Sequence, residues 1–444
     1  MTLKQLSILS AAALLTFSCK PKFEITEASL GDINTASYVA IGGSSTAGYS
    51  DGALNLNGQE NSYTAIIAKQ FDAISSTSFK QPLVSTIGIN LDGNSRLIMG
   101  YKTDCKGENS LSPVRDALAG DNTILGNNIY GSSGAFNNLG TPDLSALDVN
   151  LTGYGNSANG AGNYNEFYSR IASDEVNASI LGDALAQTPT FFTVRLGEQD
   201  ILNSATKGGT VALPISNGPA GVGFDGSLDE ALSALSGTGA KGMIADIPNV
   251  LDYPFFNTIP YDGLDIDAAQ AITLNQVFNP LGISFQVGKN AFTIEDPNTP
   301  FNVRKMLPGE LILLSIPLDS VKCNGMGSVN PIPDKYILTL EEIDSIKARI
   351  DEYNAIIGQI AATYGVLIVD LNTMYANFKA GTVYNGISLN TEFVSGGAFS
   401  LDGINLNPRG QALVANKFIK LMNNFFNANI PFADPTKYSG IIFP

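Results

Sequence analysis

The sequence predicts an α/β domain: a mostly parallel sheet in a three-layer α/β/α arrangement, carrying large loop insertions. Short apolar runs ended by Gly or Pro recur along the chain and read as strands buried on both faces. Segments with apolar residues three or four apart, the period of an amphipathic helix, alternate with them. Composition agrees: 444 residues, 44% hydrophobic and 15% charged, with 45 Gly and 21 Pro, can bury a large core and turn often.

In chain order, residues 1–18 read as a signal peptide. Lys4 is the basic start, Leu6 to Phe17 form the apolar run, and Ser18-Cys19 closes it. The run falls short of the ~20 apolar residues that span a bilayer. Thr16-Phe17-Ser18-Cys19 resembles the lipobox of bacterial lipoproteins, with Thr16 where leucine is usual. That resemblance implies a Cys19 carrying palmitate or other acyl chains as the first mature residue. The alternative is an ordinary cleaved signal with an incidental cysteine. Residues 19–34 read as a polar tether, and 35–444 as one domain in which about 205–308 interrupts the alternation as an insertion of loops, helix and hairpin.

Within the domain, Ser37 to Ile41 is the first strand, ending in the Gly42-Gly43 turn. Ser62 to Phe71 follows as a helix with Ile66, Ile67 and Phe71 on one side. The Gly-, Asn- and Ser-rich stretch from Gly120 to Gly162 reads as loop. Thr190 to Leu196, Gly242 to Ile247 and Leu311 to Ile316 are further strands. Thr339 and Glu342 form a capping box ahead of Ile343, Ile346, Ile350, Tyr353, Ile357 and Ile360, a long amphipathic helix that Gly365 can end. Val366 to Leu371 is the next buried strand. Asn407 caps a last helix with Pro408 at its first position and Val414, Phe418, Leu421, Met422 and Phe425 on its apolar face.

Composition also excludes functions. The balance of 25 Lys+Arg against 41 Asp+Glu, net −16, repels a nucleic-acid backbone. Histidine is absent, so no imidazole base and no His metal ligand exists. Asp143, Glu198, Asp200 and Asp402 match no calcium-loop spacing, and neither a metal nor a cofactor is expected. Cys105 and Cys323 either pair, as an oxidising envelope permits, or stay as buried thiols.

Three punctuated segments fall just beyond strand ends or at a helix start, where open α/β sheets gather function. They are Gly42-Gly43-Ser44-Ser45-Thr46-Ala47-Gly48, Gly197-Glu198-Gln199-Asp200, and Asp402-Gly403-Ile404-Asn405-Leu406-Asn407-Pro408-Arg409-Gly410. In this order and spacing they resemble the SGNH, or GDSL, hydrolase family. Residues 38–63, 400–419 and 438–444 are similar to an outer-membrane lipoprotein branch of that family in Gram-negative bacteria. The resemblance implies a flavodoxin-like three-layer fold, with the nucleophile at Ser44 and the orienting aspartate at Asp402. It also implies a degenerate site. The oxyanion-hole glycine falls on Asp143, within Asn138 to Asp143, the oxyanion-hole asparagine on Gln199, and the catalytic histidine on Asn405. A serine hydroxyl needs a neighbouring base to take its proton, and a carboxamide cannot do so. No lysine lies within the motifs, and Arg409 stays protonated.

The resulting expectation is a non-catalytic lipoprotein on the outer membrane, facing the cell surface. It would act as a binding or accessory subunit, with an integral β-barrel protein of transport, export or envelope assembly as partner. Two rivals remain: a serine esterase or lipase using Ser44 with an unrecognised base, and a surface protein binding glycans or lipids, for which Tyr130 to Tyr168 offers aromatic faces.

Overall fold

A computed structural model describes residues 27–444; the expected signal peptide over 1–18 and the expected lipid attachment at Cys19 lie outside the described residues. Five strands form the central sheet: β1 (Tyr38–Gly42), β2 (Asn138–Gly140), β3 (Phe191–Arg195), β4 (Lys241–Ala245) and β5 (Leu367–Val369). All pair in parallel in the spatial order 2-1-3-4-5. This is a doubly wound order, and it reverses direction at β1. Every residue of β1, β2 and β3 is buried, as two covered faces require.

Seven helices matter for the site: α1 (Ser44–Ala47), α2 (Tyr63–Asp72), α3 (Glu198–Ala205), α4 (Phe224–Gly237), α5 (Leu340–Tyr364), α6 (Leu371–Ala380) and α7 (Pro408–Phe425). α2 packs on α7 with Tyr63 stacked on Phe418, and α4 packs on α5 with Phe224 stacked on Tyr353 at 3.8 Å. The caps at Thr339 and Asn407 are those the sequence pointed to, and Ser62, read as the first residue of its helix, is a cap as well. Ser62 accepts from Ala65 N–H, Thr339 and Glu342 close a reciprocal capping box, and Asn407 accepts from Gly410 N–H. Each such cap is worth ~1 kcal/mol. On α7, Val414, Phe418 and Met422 are buried, whereas Phe425 is exposed, off the buried stripe, while Phe426 beside it packs on Phe191.

Four expectations are corrected. Leu311–Ile312 pairs only with Ile337–Leu338, antiparallel and outside the main sheet, so the run at 311–316 is no central strand. The fifth strand is instead β2, at the edge opposite β5 and inside the stretch read as loop. Three residues are too few to show a period, and only pairing with β1 makes them a strand. The stretch read as an insertion, 205–308, contains α4 and β4, which belong to the doubly wound core. The real departure from alternation runs from about Thr258 to Leu338, where short antiparallel pairs gather around two small clusters of their own. Nor does the tether extend to Asn34: Ser29 bridges to Asn429, and Ile33 is buried.

Candidate active site

The chain reversal at β1 fixes where a site can form. The loops leaving β1, β2 and β3 diverge there and open a crevice at the carboxyl ends of the strands. The turn after β1 carries Ser44 into α1, which ends at Gly48 in the left-handed region. α1 lies directly on β2, where a Cβ on Gly140 would collide with the Thr46–Ala47 backbone. The loop after β2 carries Asp143, and the turn after β3 carries Gln199 at the start of α3. Gly197 makes that turn with φ +93, and a Cβ there would strike Phe224 and Ile247. Asp402 and Asn405 come from the loop ahead of α7.

All five residues singled out in the sequence line one cleft of about 1120 Å³. The Ser44 hydroxyl donates to Gln199 Oε1 (3.3 Å) and accepts from the Asp143 backbone N–H (3.4 Å). Asp143 holds φ +62, a conformation that glycine adopts freely, while its amide points at the serine oxygen. Its side chain is turned to Gln199, whose Nε2 donates to Asp143 Oδ1 (3.2 Å) and Asn203 Oδ1 (2.9 Å). Burial raises the Asp143 carboxyl above its ordinary value.

Asn405 does not reach Ser44 by a hydrogen bond. Its Nδ2 donates to Asp402 Oδ2 (3.0 Å), the bond an imidazole would make to an orienting carboxylate. Asp402 also accepts the N–H groups of Gly52 (3.0 Å), Ile404 (2.9 Å) and Asn405 (2.8 Å), so it organises the loop as well. The cleft lysines Lys102, Lys207 and Lys322 are not hydrogen-bonded to Ser44 either. Among the described residues, no group that titrates near neutrality hydrogen-bonds the Ser44 oxygen through its side chain.

Beneath Ser44 the structure adds a network that the sequence reading missed. Arg195, at the end of β3, donates to Ser45 Oγ (2.8 Å) and Tyr375 Oη (3.1 Å) and pairs with Glu198 Oε2 (2.7 Å). Tyr253 donates to the other Glu198 oxygen (2.6 Å). Arg195 Nε, fully buried, has no partner among the described residues. Burial pulls this guanidinium down, but Glu198 and the two tyrosines outweigh it and hold it well above its ordinary value. Burial pushes Tyr375 up to about 12 and holds Tyr253 well above its ordinary value, so neither hydroxyl is a neutral-pH base. One signal was available: an arginine inside the otherwise apolar TFFTVRL, with a glutamate three residues later.

The cleft's outer wall is a hairpin, Leu97–Thr103 with Asn109–Arg115. Its tip is tied to the helix Leu318–Cys323 by a Cys105–Cys323 disulfide, which decides between the two states left open by sequence. Among the described residues no set of three acidic or cysteine side chains is placed to hold a metal ion, and no helix is long and apolar enough to cross a membrane.

No family model matches the chain, and no curated protein does. Among solved structures, the chain is similar to the crystal structure of LAE5, an alpha/beta hydrolase enzyme from the metagenome of Lake Arreo, Spain. Identity is 12% and the TM-score 0.34, over 88% of this chain and 96% of that one. A likeness of that degree carries no argument about site or activity.

Proposed function

We propose that this chain is a non-catalytic binding or accessory protein that keeps a hydrolase-type site as architecture. The observation that carries the reading is the pair of bonds around the would-be triad. The Ser44 hydroxyl donates to a carboxamide, and the position for the base is an asparagine held by Asp402. Neither Gln199 nor Asn405 accepts and returns a proton, so Ser44 has no activation. The Asp143 carboxylate would add negative charge beside a developing oxyanion.

The rest of the proposal rests on sequence. The lipobox-like junction at Cys19 supports anchoring in the outer membrane, facing the surface, and the motif resemblance supports descent from SGNH hydrolases. A large insertion-bearing surface suits an integral β-barrel partner. The test is p-nitrophenyl ester turnover by the wild type beside Ser44→Ala, together with extraction in mild detergent. The proposal expects equal, background turnover and co-purification with a barrel protein. Turnover that Ser44→Ala abolishes would transfer the protein to the esterases, and recovery of a solitary lipoprotein would remove the accessory role.

A further inference from the structure

We propose that the hairpin Leu97–Thr103/Asn109–Arg115 is a covalently fastened strap, which makes the cleft a passage for a single linear apolar chain whose neutral polar end rests at Ser44, Gln199 and Asn405. The inference deepens the binding reading above and rests on it.

Cross-strand pairing sets Leu97 opposite Arg115, Met99 opposite Pro113 and Tyr101 opposite Leu111. Residues paired across a ladder share a face, as do alternate residues along each strand. Leu97, Met99, Leu111 and Pro113 therefore share one face, with Arg115 at its base, and all five line the cleft together with Lys102, Ser110 and Ser112 of the opposite face. Phe255, Ile259, Leu314 and Leu318 line it as well, from outside the hairpin. Leu111 and Leu318, on these two walls, are 37% and 54% exposed. Facing apolar surface left open to water is the mark of a ligand groove.

Both ends of the hairpin are fastened. At its base, Leu97 N–H donates to Asp51 C=O (2.7 Å), Arg96 pairs with Asp116 (3.0 Å), and Arg115 donates to Ser95 C=O (2.6 Å). At its tip, the disulfide is flanked by Lys102–Asp319 (3.2 Å) and by Lys322 pairing with both Asp104 and Glu108. A strap held at both ends cannot swing away, so an occupant must slide beneath it. That admits a flexible chain end-on and excludes a bulky rigid body.

The polar end of the occupant follows from the floor. Ser44 and Asn405 offer a hydroxyl and a carboxamide beside Gln199, and the Asp143 carboxylate next to them is matched in charge by Lys207 across the cleft, so the floor is polar and neutral overall. A hydroxyl-bearing head fits such a floor, whereas a carboxylate would have to compete with Asp143 for Lys207. The cleft wall also keeps a strained turn. Val394 sits at φ +68 between Phe393 C=O and Ser395 N–H (2.8 Å), a conformation that β-branched residues avoid, and both Phe393 and Val394 line the passage.

The experiment is displacement of 1-N-phenylnaphthylamine from the disulfide-intact protein by 1-O-alkyl glycerol ethers of increasing chain length. The chain has no Trp, so the dye is read against tyrosine alone. The proposal expects displacement with affinity rising ~4-fold per added methylene. Leu111→Glu with Leu318→Glu weakens binding ~10-fold or more at an unchanged melting temperature. Cys105→Ser with Cys323→Ser, or reduction of the wild type if that variant does not fold, speeds dissociation ~10-fold while leaving affinity within ~3-fold. Failure of the ethers to displace the dye, equal binding of a rigid steroid, preference for the free fatty acid, or an unchanged dissociation rate on reduction would each overturn it. Ethers have no scissile ester, so these outcomes are independent of whether Ser44 turns over substrate.

Discussion

Asn405→His tests the site most directly. Asparagine and histidine share the branch at Cγ, so the histidine Nδ1–H can take over the 3.0 Å bond that Asn405 Nδ2 makes to Asp402 Oδ2. The ring's Nε2 then points further into the small cavity that Ser44 and Asn405 already line together. In a complete triad the histidine is worth ~10⁶ in kcat. Here Gln199 is engaged with Asp143 and Asn203 rather than free to receive an oxyanion, and a missing donor removes ~10²–10³. The expected gain is therefore ~10³, about 4 kcal/mol of transition-state stabilisation. Adding Asp143→Gly keeps the backbone amide that faces Ser44, suits φ +62 and removes the carboxylate, for a further gain of ~10-fold. The assay is p-nitrophenyl butyrate turnover, with each variant measured beside its Ser44→Ala counterpart. Because the new base works deprotonated, the rate rises with pH through about 6.5. If folded Asn405→His shows no Ser44-dependent turnover, with or without Asp143→Gly, Ser44 does not occupy a nucleophile's position, and the degenerate-hydrolase reading fails.

Three further outcomes follow from the packing. Asp200 accepts from Ser145 Oγ (2.5 Å) and Ala146 N–H (2.9 Å), yet burial raises it from 3.8 to about 6. Its folded form holds the proton more tightly than the unfolded form, so its stabilisation is fully present below about 3.8 and is lost as pH rises through about 6. Denaturation of wild type and Asp200→Asn at both ends of that window should show the variant's disadvantage shrinking by about 3 kcal/mol toward neutrality, and a pH-independent difference would refute it. Glu198→Gln leaves the Arg195 charge buried without its counter-ion and should cost ~3–5 kcal/mol in urea unfolding, more than Arg195→Met with Glu198→Met together. Losing the disulfide across its 218-residue separation should cost at most ~5 kcal/mol on the chain-entropy account, checked by unfolding with and without reductant.

Much of the site was legible because its loops are punctuated locally. The Gly-Gly-Ser-Ser turn, the Gly197 turn and the Asn407 cap each announce themselves within a few residues, and the structure brings Ser44, Gln199, Asp402 and Asn405 to one cleft. Asp143 also arrives there, through a three-residue strand that no local pattern revealed. Of the Arg195–Glu198–Tyr253–Tyr375 network only the Arg195–Glu198 spacing shows locally; Tyr253 and Tyr375 stayed hidden because they come from elements far along the chain. The hairpin strap stayed hidden because its apolar face has meaning only opposite Leu314 and Leu318.

The amino-acid order by itself determined the helices over 63–72, 340–364 and 408–425, the caps at Thr339 and Asn407 and the longer buried strands, since each depends on neighbours a few positions away. Tertiary structure alone decided the register that makes Asn138–Gly140 a strand, the pairing of Cys105 with Cys323, and the turning of Asn405 toward Asp402 rather than Ser44. These contacts join residues far apart in the chain, or choose between partners that are equally near in sequence, and only the folded geometry ranks those choices.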